Sequence, residues 1–293
     1  MKNKFSLNGV KTRWAGSAAV MLLTLGMFGG SPALAGIAST KHNLGSLGTG
    51  PNRFSATAEV CVFCHTPHGA DATASVPLWN RTLPTAATYT TYNSLGTSSL
   101  DGATVPVGSV SIACLSCHDG VQAMNTVINA PGSGNLNAAW TAGTWTGSSK
   151  VTGAALLGQN LNNDHPIGIQ YGGGMVNNVA YTPGVIASAA FKDKDFVGLQ
   201  YANLNGNAVW WVDSGPTVGQ RDKGDMQLYT RTGATALSGM TSAVTGTVLA
   251  GAQAFVECAS CHDPHVQDVA NSNPTFLRIS NANSAVCLAC HIK

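Results

Sequence analysis

Apolar positions in this 293-residue chain concentrate in two places and are scattered elsewhere. Ala18 to Phe28 is a continuous apolar run. It follows a positive segment, Lys2, Lys4, Lys11 and Arg13, and precedes the small-residue triplet Ala33-Leu34-Ala35. That order predicts a secretory signal peptide over residues 1–35 and a secreted mature chain, extracellular or cell-surface with the periplasm as the alternative, a choice the presequence alone leaves open. A bilayer takes about 20 apolar residues to cross, so no membrane span is expected. The second concentration is AVWWV, 208–212, and MQLYT, 226–230, on either side of DSGPTVGQRDKGD. Two β-prone runs around turn residues predict a hairpin. Asp213, Asp222 and Asp225 in that turn do not match the alternating ligands of a calcium loop and read as a solvated turn. Trp210 and Trp211 fit either hairpin packing or the face of a flat cofactor. The rest of the stretch from about 121 to 257 is Gly, Thr, Asn and Ala without a sustained helical period.

Charged residues make up only 10% of the chain, against about 25% in ordinary soluble domains. The formal charge of +2 changes sign once the first 35 residues are set aside, because they hold four of the fifteen basic residues and no acid. Eleven basic against thirteen acidic residues remain, a balance of −2 with no basic footprint for nucleic acid. A weakly charged surface is compatible with close association between copies.

The cysteines add the chemistry. All eight fall into pairs, Cys61/Cys64, Cys114/Cys117, Cys258/Cys261 and Cys287/Cys290, each spaced C-x-x-C. Disulfides and zinc ribbons also use cysteine pairs. Here, however, His65, His118, His262 and His291 follow the four pairs at once. C-x-x-C-H is the attachment signature of c-type haem. Two thiols add across the vinyl groups of one porphyrin edge, and the adjacent histidine is carried beneath the iron. The reading is four covalent haem c groups.

The sites form two similar couples. CVFCHTPH is followed by CLSCHDG, and CASCHDPH by CLACHIK, an apparent internal duplication. The implied organisation is a first dihaem unit over 36–130, a cysteine-free segment over 131–250, and a second dihaem unit over 251–293. The expected fold is a multihaem cytochrome c, mostly irregular, with short helices at the haem sites and one or two small β-hairpins. Its core would be built largely by the haems, so that folding depends on the cofactor.

Eight histidines match the eight axial positions of four haems, and His42, His68, His165 and His265 are the distal candidates. Bis-histidine ligation throughout gives low-spin, low-potential haems, because methionine ligation raises the potential. His68 lies three residues past His65, a reach of at most about 10 Å, too short to round the porphyrin edge. His68 must therefore serve a different haem from His65, and His265 a different one from His262. The expected partners lie within each couple: His68 with the Cys114/Cys117 haem, and His265 with the Cys287/Cys290 haem. His165 is assigned to the Cys61/Cys64 haem. His42, on an arm with little to pack on, is left for the Cys258/Cys261 haem, with ligation to an adjacent subunit favoured over the same chain.

CVFCHTPHG, NDHPIG (163–168), VWWVDSG (209–215), RDKGDMQLYTR (221–231), VECASCHDPH (256–265) and FLRISNANSAVCLACH (276–291) resemble the extracellular multihaem cytochromes with doubled C-x-x-C-H motifs of metal-reducing bacteria. Together with STKHNLGS (39–46), they look most like the tetrahaem, filament-forming OmcE-type branch. The resemblance implies a loop-built homopolymer with a continuous haem chain. It would take electrons from other cytochromes and deliver them to extracellular metal oxides or other acceptors. A soluble periplasmic carrier and a multihaem reductase are the alternatives. A reductase needs an open iron position, which the histidine count does not leave. No Ser-His-Asp, paired-carboxylate or phosphate-loop pattern is present, so no catalytic residue is assigned and an electron-transfer protein, not an enzyme, is expected.

Overall fold

The computed structural model describes residues 36–132, 138–176, 182–231, 252–265 and 275–292. The described residues all fall in one compact unit, Ala35–Lys293. The expected signal peptide lies outside the described residues. No helix among the described residues is long and apolar enough to cross a membrane.

Regular elements are short and mostly not helical. The strands are β1 (Arg53–Phe54), β2 (Trp145–Thr146), β3 (Ile169–Gln170), β4 (Gly184–Ile186), β5 (Leu199–Leu204), β6 (Asn207–Val212), β7 (Met226–Arg231) and β8 (Gln253–Val256). The helices are α1 (Ser109–His118), α2 (Ala138–Thr141), α3 (Cys258–Cys261) and α4 (Ala285–Cys290). β1 and β2 pair alone, and the other strands form one antiparallel sheet in the order β3-β8-β7-β6-β5-β4.

The expected hairpin is present as β6 and β7, with Trp210 opposite Leu228 and Val212 opposite Met226. It is the middle of a six-stranded sheet. The tight turn is one strand earlier. Asn205 (φ 51°) and Gly206 (φ 82°) join β5 to β6, both left-handed, as a type I′ turn requires. Asn-Gly is among the strongest hairpin signals in a sequence.

The sheet carries a side-chain core of its own, which the glycine-rich, charge-poor composition did not suggest. Tyr171, Phe191, Leu199, Trp210, Val212 and Met226 are buried together. Trp210 stacks on Tyr201 with ring centres 3.9 Å apart and donates Nε1–H to Thr230 Oγ1 at 2.8 Å. That resolves Trp210 in favour of sheet packing.

The turn between β6 and β7 also departs from expectation. Asp225 is fully buried and accepts from the backbone N–H groups of Ser214, Gly215 and Asp222 at 3.1, 2.9 and 2.6 Å. Its carboxylate builds the turn from inside instead of standing in solvent.

Two smaller clusters lie under the cysteine motifs of the first half. Phe54, Val62 and Phe63 pack with Trp140 and Trp145. Tyr89, Val107, Ile112, Leu115 and Leu161 pack beneath α1. Burying one such side chain contributes about 1.5–3 kcal/mol.

Candidate haem sites

Each cysteine pair sits on a helical turn. Cys61–Phe63 is a 3₁₀ turn, Cys114 and Cys117 occupy the end of α1, and the other pairs lie on α3 and α4. Residues three apart on a turn share a face, so each pair presents two thiols to one edge. The histidine N–H closes the turn onto the first cysteine's carbonyl: His65 on Cys61 at 2.7 Å, His262 on Cys258 at 3.2 Å, His291 on Cys287 at 2.9 Å. None of the eight thiols is in a disulfide. Among the described residues no three His, Cys, Asp or Glu side chains converge on one point.

The histidine rings are held as metal ligands are held. His65 donates Nδ1–H to the Pro77 carbonyl at 2.8 Å, His118 to Ala155 at 2.8 Å, and His262 to Thr275 at 2.7 Å. His42 donates to the Pro264 carbonyl at 3.0 Å, and His265 to the Asp263 carboxylate at 3.1 Å. A proton fixed on Nδ1 leaves Nε2 as the free electron pair, the arrangement of iron-bound imidazole. Burial, then the neighbouring His118 and His265, lower the His42 pKa and favour the neutral ring. The hydrogen bond from His265 is the main reason that the Asp263 carboxyl is pulled down to about 2.

Two ring pairs then face each other. His65 and His265 have centroids 6.2 Å apart and planes 20° from parallel. His42 and His118 also stand 6.2 Å apart, with planes at 81°. A first-row metal ion between two imidazole nitrogens, each bond about 2 Å, separates the ring centres by roughly 6 Å. Both pairs fit one iron each. Trp79 lies edge-on to His65, and its buried Nε1 has no hydrogen-bond partner among the described residues.

Burial, and after it the charges of His291 and His262, lower the His165 pKa, so both rings lie near it. The His68 ring is exposed, and among the described residues it makes no ring contact. Its backbone is held in place: the His68 carbonyl accepts from Thr66 Oγ1 at 3.0 Å and from Asn129 Nδ2 at 2.9 Å.

These placements redistribute the distal histidines. His265 stands opposite His65, not over the Cys287/Cys290 turn. His42 takes the place opposite His118 that the sequence reading gave to His68, and does so within its own chain. His165 lies by the second couple, not by His65. Proximity in sequence pairs each distal histidine within its own couple, whereas the fold interleaves the couples. Ser111 on α1 donates to Glu257 Oε2 at 2.5 Å and accepts from the Cys258 N–H at 2.9 Å, tying the second motif to the third. Arg231 closes the network with a 2.8 Å ion pair to Glu257.

The thiols line up across the motifs. Cys114 and Cys258 neighbour each other closely enough to shift one another's pKa, Cys114 upward and Cys258 downward. Burial, then the nearby Cys117, push Cys64 up to about 12. Cys290 is pushed up to about 12 by burial and the neighbouring Cys261. The attachment points therefore neighbour one another as first to second, second to third and third to fourth. Arg81, fully buried, spans the first junction. It donates to Ser116 Oγ (3.2 Å) and to the carbonyls of Met124 (2.9 Å), Ser116 (3.0 Å) and Ala123 (3.0 Å).

The duplication extends to segments that the sequence reading missed. After the first motif the chain returns so that Thr66 N–H bonds the Leu78 carbonyl at 2.9 Å and Asn80 N–H the Cys64 carbonyl at 2.8 Å. After the third motif, Asp263 N–H bonds Phe276 at 2.8 Å and Arg278 N–H bonds Cys261 at 2.8 Å. His65 bridges Trp79 as His262 bridges Leu277. Leu78 (φ 56°) and Phe276 (φ 61°) sit left-handed at the same point of each return. The only sequence signal was a short apolar pair, Leu78-Trp79 and Phe276-Leu277, followed within two residues by an arginine.

A sequence profile described as the doubled CXXCH motif matches residues 251–293. No curated protein matches the chain. The doubled motif indicates a multihaem c-type cytochrome. Its CXXCH motifs indicate covalent haem c binding and electron transfer.

Proposed function

We propose that this chain is a secreted tetrahaem electron-transfer protein with bis-histidine iron. We further propose that its copies join into an extracellular filament that accepts electrons from other cytochromes and passes them to external acceptors such as metal oxides. When bound, the haem supplies reversible one-electron exchange at iron. The chain's own residues attach it, hold both axial imidazoles neutral and aimed, and set neighbouring attachment points side by side. The observation that carries the reading is the pair of imidazole couples, each 6.2 Å apart and each built from histidines remote in sequence. Two bound imidazoles leave no open position at such an iron, which supports conduction over substrate turnover.

Self-association rests on His68. With His42 opposite His118 in its own chain, the shared ligand first sought in His42 passes to the exposed ring on the anchored 66–69 loop. Its acceptor would be the position opposite His262 in the next copy. A contact of that kind is heterologous and propagates as an open assembly where its rotation does not close into a ring.

The test is haem content, axial ligation and electron microscopy of the secreted protein and of His68→Ala. Four haems per chain and filaments are expected. The variant should yield four-haem monomers with one vacant axial position. Normal filaments from His68→Ala would sink the shared-ligand reading. Wild-type monomers with all iron low-spin would favour the soluble carrier. Rapid carbon monoxide binding by reduced wild-type protein would favour the reductase, because His68 would then be unused.

A further inference from the structure

The two imidazole couples differ in one respect that their common spacing hides. His65 and His265 are near-parallel at 20°, whereas His42 and His118 are near-perpendicular at 81°. An imidazole ring turns freely about its bond to a metal unless something holds it. Two contacts hold His42. Its Nδ1–H is fixed on the Pro264 carbonyl at 3.0 Å, and its face lies on Phe276, with ring centres 4.2 Å apart and planes within 17°. The hydrogen bond fixes one edge of the ring, and the stack fixes the plane.

Phe276 is placed for this at the cost of backbone strain. Its φ of 61° is a genuine outlier for a bulky side chain. The same conformation at Leu78 in the first motif carries a side chain that is 52% exposed and stacks on nothing. The repeat therefore supplies the geometry twice and the aromatic ring once. Thr275, one residue earlier, orients His262, so this return positions a ligand of one haem and stacks on a ligand of another.

We propose that Phe276 is a positioning residue that holds the axial imidazoles at the Cys114/Cys117 haem crossed, so that this site and the Cys61/Cys64 site are electronically unlike. The proposal rests on the bis-histidine haem reading above. Each ligand's π orbital overlaps the iron orbital perpendicular to its ring. Parallel rings act on the same iron orbital, split the pair and stabilise the ferric state. Crossed rings act on both equally, leave the pair nearly degenerate and stabilise the ferric state less. The haem at His118 is then harder to oxidise than the haem at His65, with identical ligands. Ligand orientation adds a lever to axial-ligand identity.

The experiment is electron paramagnetic resonance of the oxidised, haem-loaded full chain, with haem content measured on the same samples, for wild type, Phe276→Leu, Phe276→Tyr and His42→Ala. Wild type is expected to show a strongly anisotropic, large-gmax low-spin component beside a rhombic one. The large-gmax component should disappear in His42→Ala. Phe276→Leu, which copies Leu78, should convert most of it to rhombic signal and lower that haem's midpoint potential at unchanged haem content. Phe276→Tyr keeps the stack and should retain it. An unchanged large-gmax component in Phe276→Leu overturns the proposal, and so does a wild type without one. Should Phe276→Leu lose haem, the wild-type and His42→Ala spectra still decide whether His42 is the crossed ligand. Wild type with no low-spin haem would overturn the underlying haem reading; rhombic signals alone would overturn only this inference.

Discussion

His65 and His265 face each other with ring centres 6.2 Å apart, although two hundred residues separate them in the chain. The pairing makes a specific statement about which site each distal histidine completes. His265→Ala should open the haem attached to Cys61 and Cys64, giving one equivalent of high-spin signal. In a chain whose Cys61 and Cys64 are both changed to Ser, the same substitution should add no high-spin signal. If it adds one, His265 serves another haem.

Arg81 is a fully buried cation, and no carboxylate among the described residues lies within ion-pair distance. Its guanidinium is satisfied by one hydroxyl and three carbonyls. Arg81→Met leaves those acceptors buried without donors and should destabilise the holoprotein by about 3 kcal/mol in denaturant unfolding. Burial raises the Cys64 and Cys117 thiol pKa values and the positive charge opposes that rise at both, so it lies near both attachment sites. Its loss should lower the two corresponding midpoint potentials. A variant of wild-type stability would show that the carbonyls find other donors.

Glu257 gives a pH dependence of definite sign. Burial holds its carboxyl above the ordinary value of 4.5, against the opposing pull of Arg231 and Ser111. Just above that ordinary value the folded protein keeps a proton that the unfolded chain has released. Stability from this group is therefore greatest below pH 4.5 and falls as pH rises through the folded pKa. Unfolding midpoints measured across that window should show the decline, and Glu257→Gln should flatten it. An equal slope in both proteins would place the proton elsewhere.

Gly206 tests the sheet apart from the haems. At φ 82°, in the turn between β5 and β6, an added Cβ is strained though nothing blocks it. Gly206→Ala should cost about 1 kcal/mol of stability and leave the haem spectrum unchanged. A spectral change would mean that the sheet's edge reaches the haem sites.

The sequence by itself determined the attachment chemistry. Cys61, Cys64 and His65, and the three repeats of that pattern, are contiguous, and one helical turn brings their groups together with no help from the rest of the chain. The same locality made AVWWV and MQLYT readable as paired strands, and the three-residue gap between His65 and His68 is too short for both to reach one haem iron. Which histidine each distal candidate faces could not be read, because that depends on contacts across the fold. Ser111, Glu257 and Arg231 lock α1 against α3, which puts the third motif beside the second and carries His265 over to His65. Phe276 meets His42 only because the chain returns on itself after the third motif through a left-handed residue that no local preference favours. Asp225 looked like a solvated turn residue until the amides of Ser214, Gly215 and Asp222 closed around it. Local spacing set what each motif can bind, and long-range packing decided which histidine completes each site and at what angle.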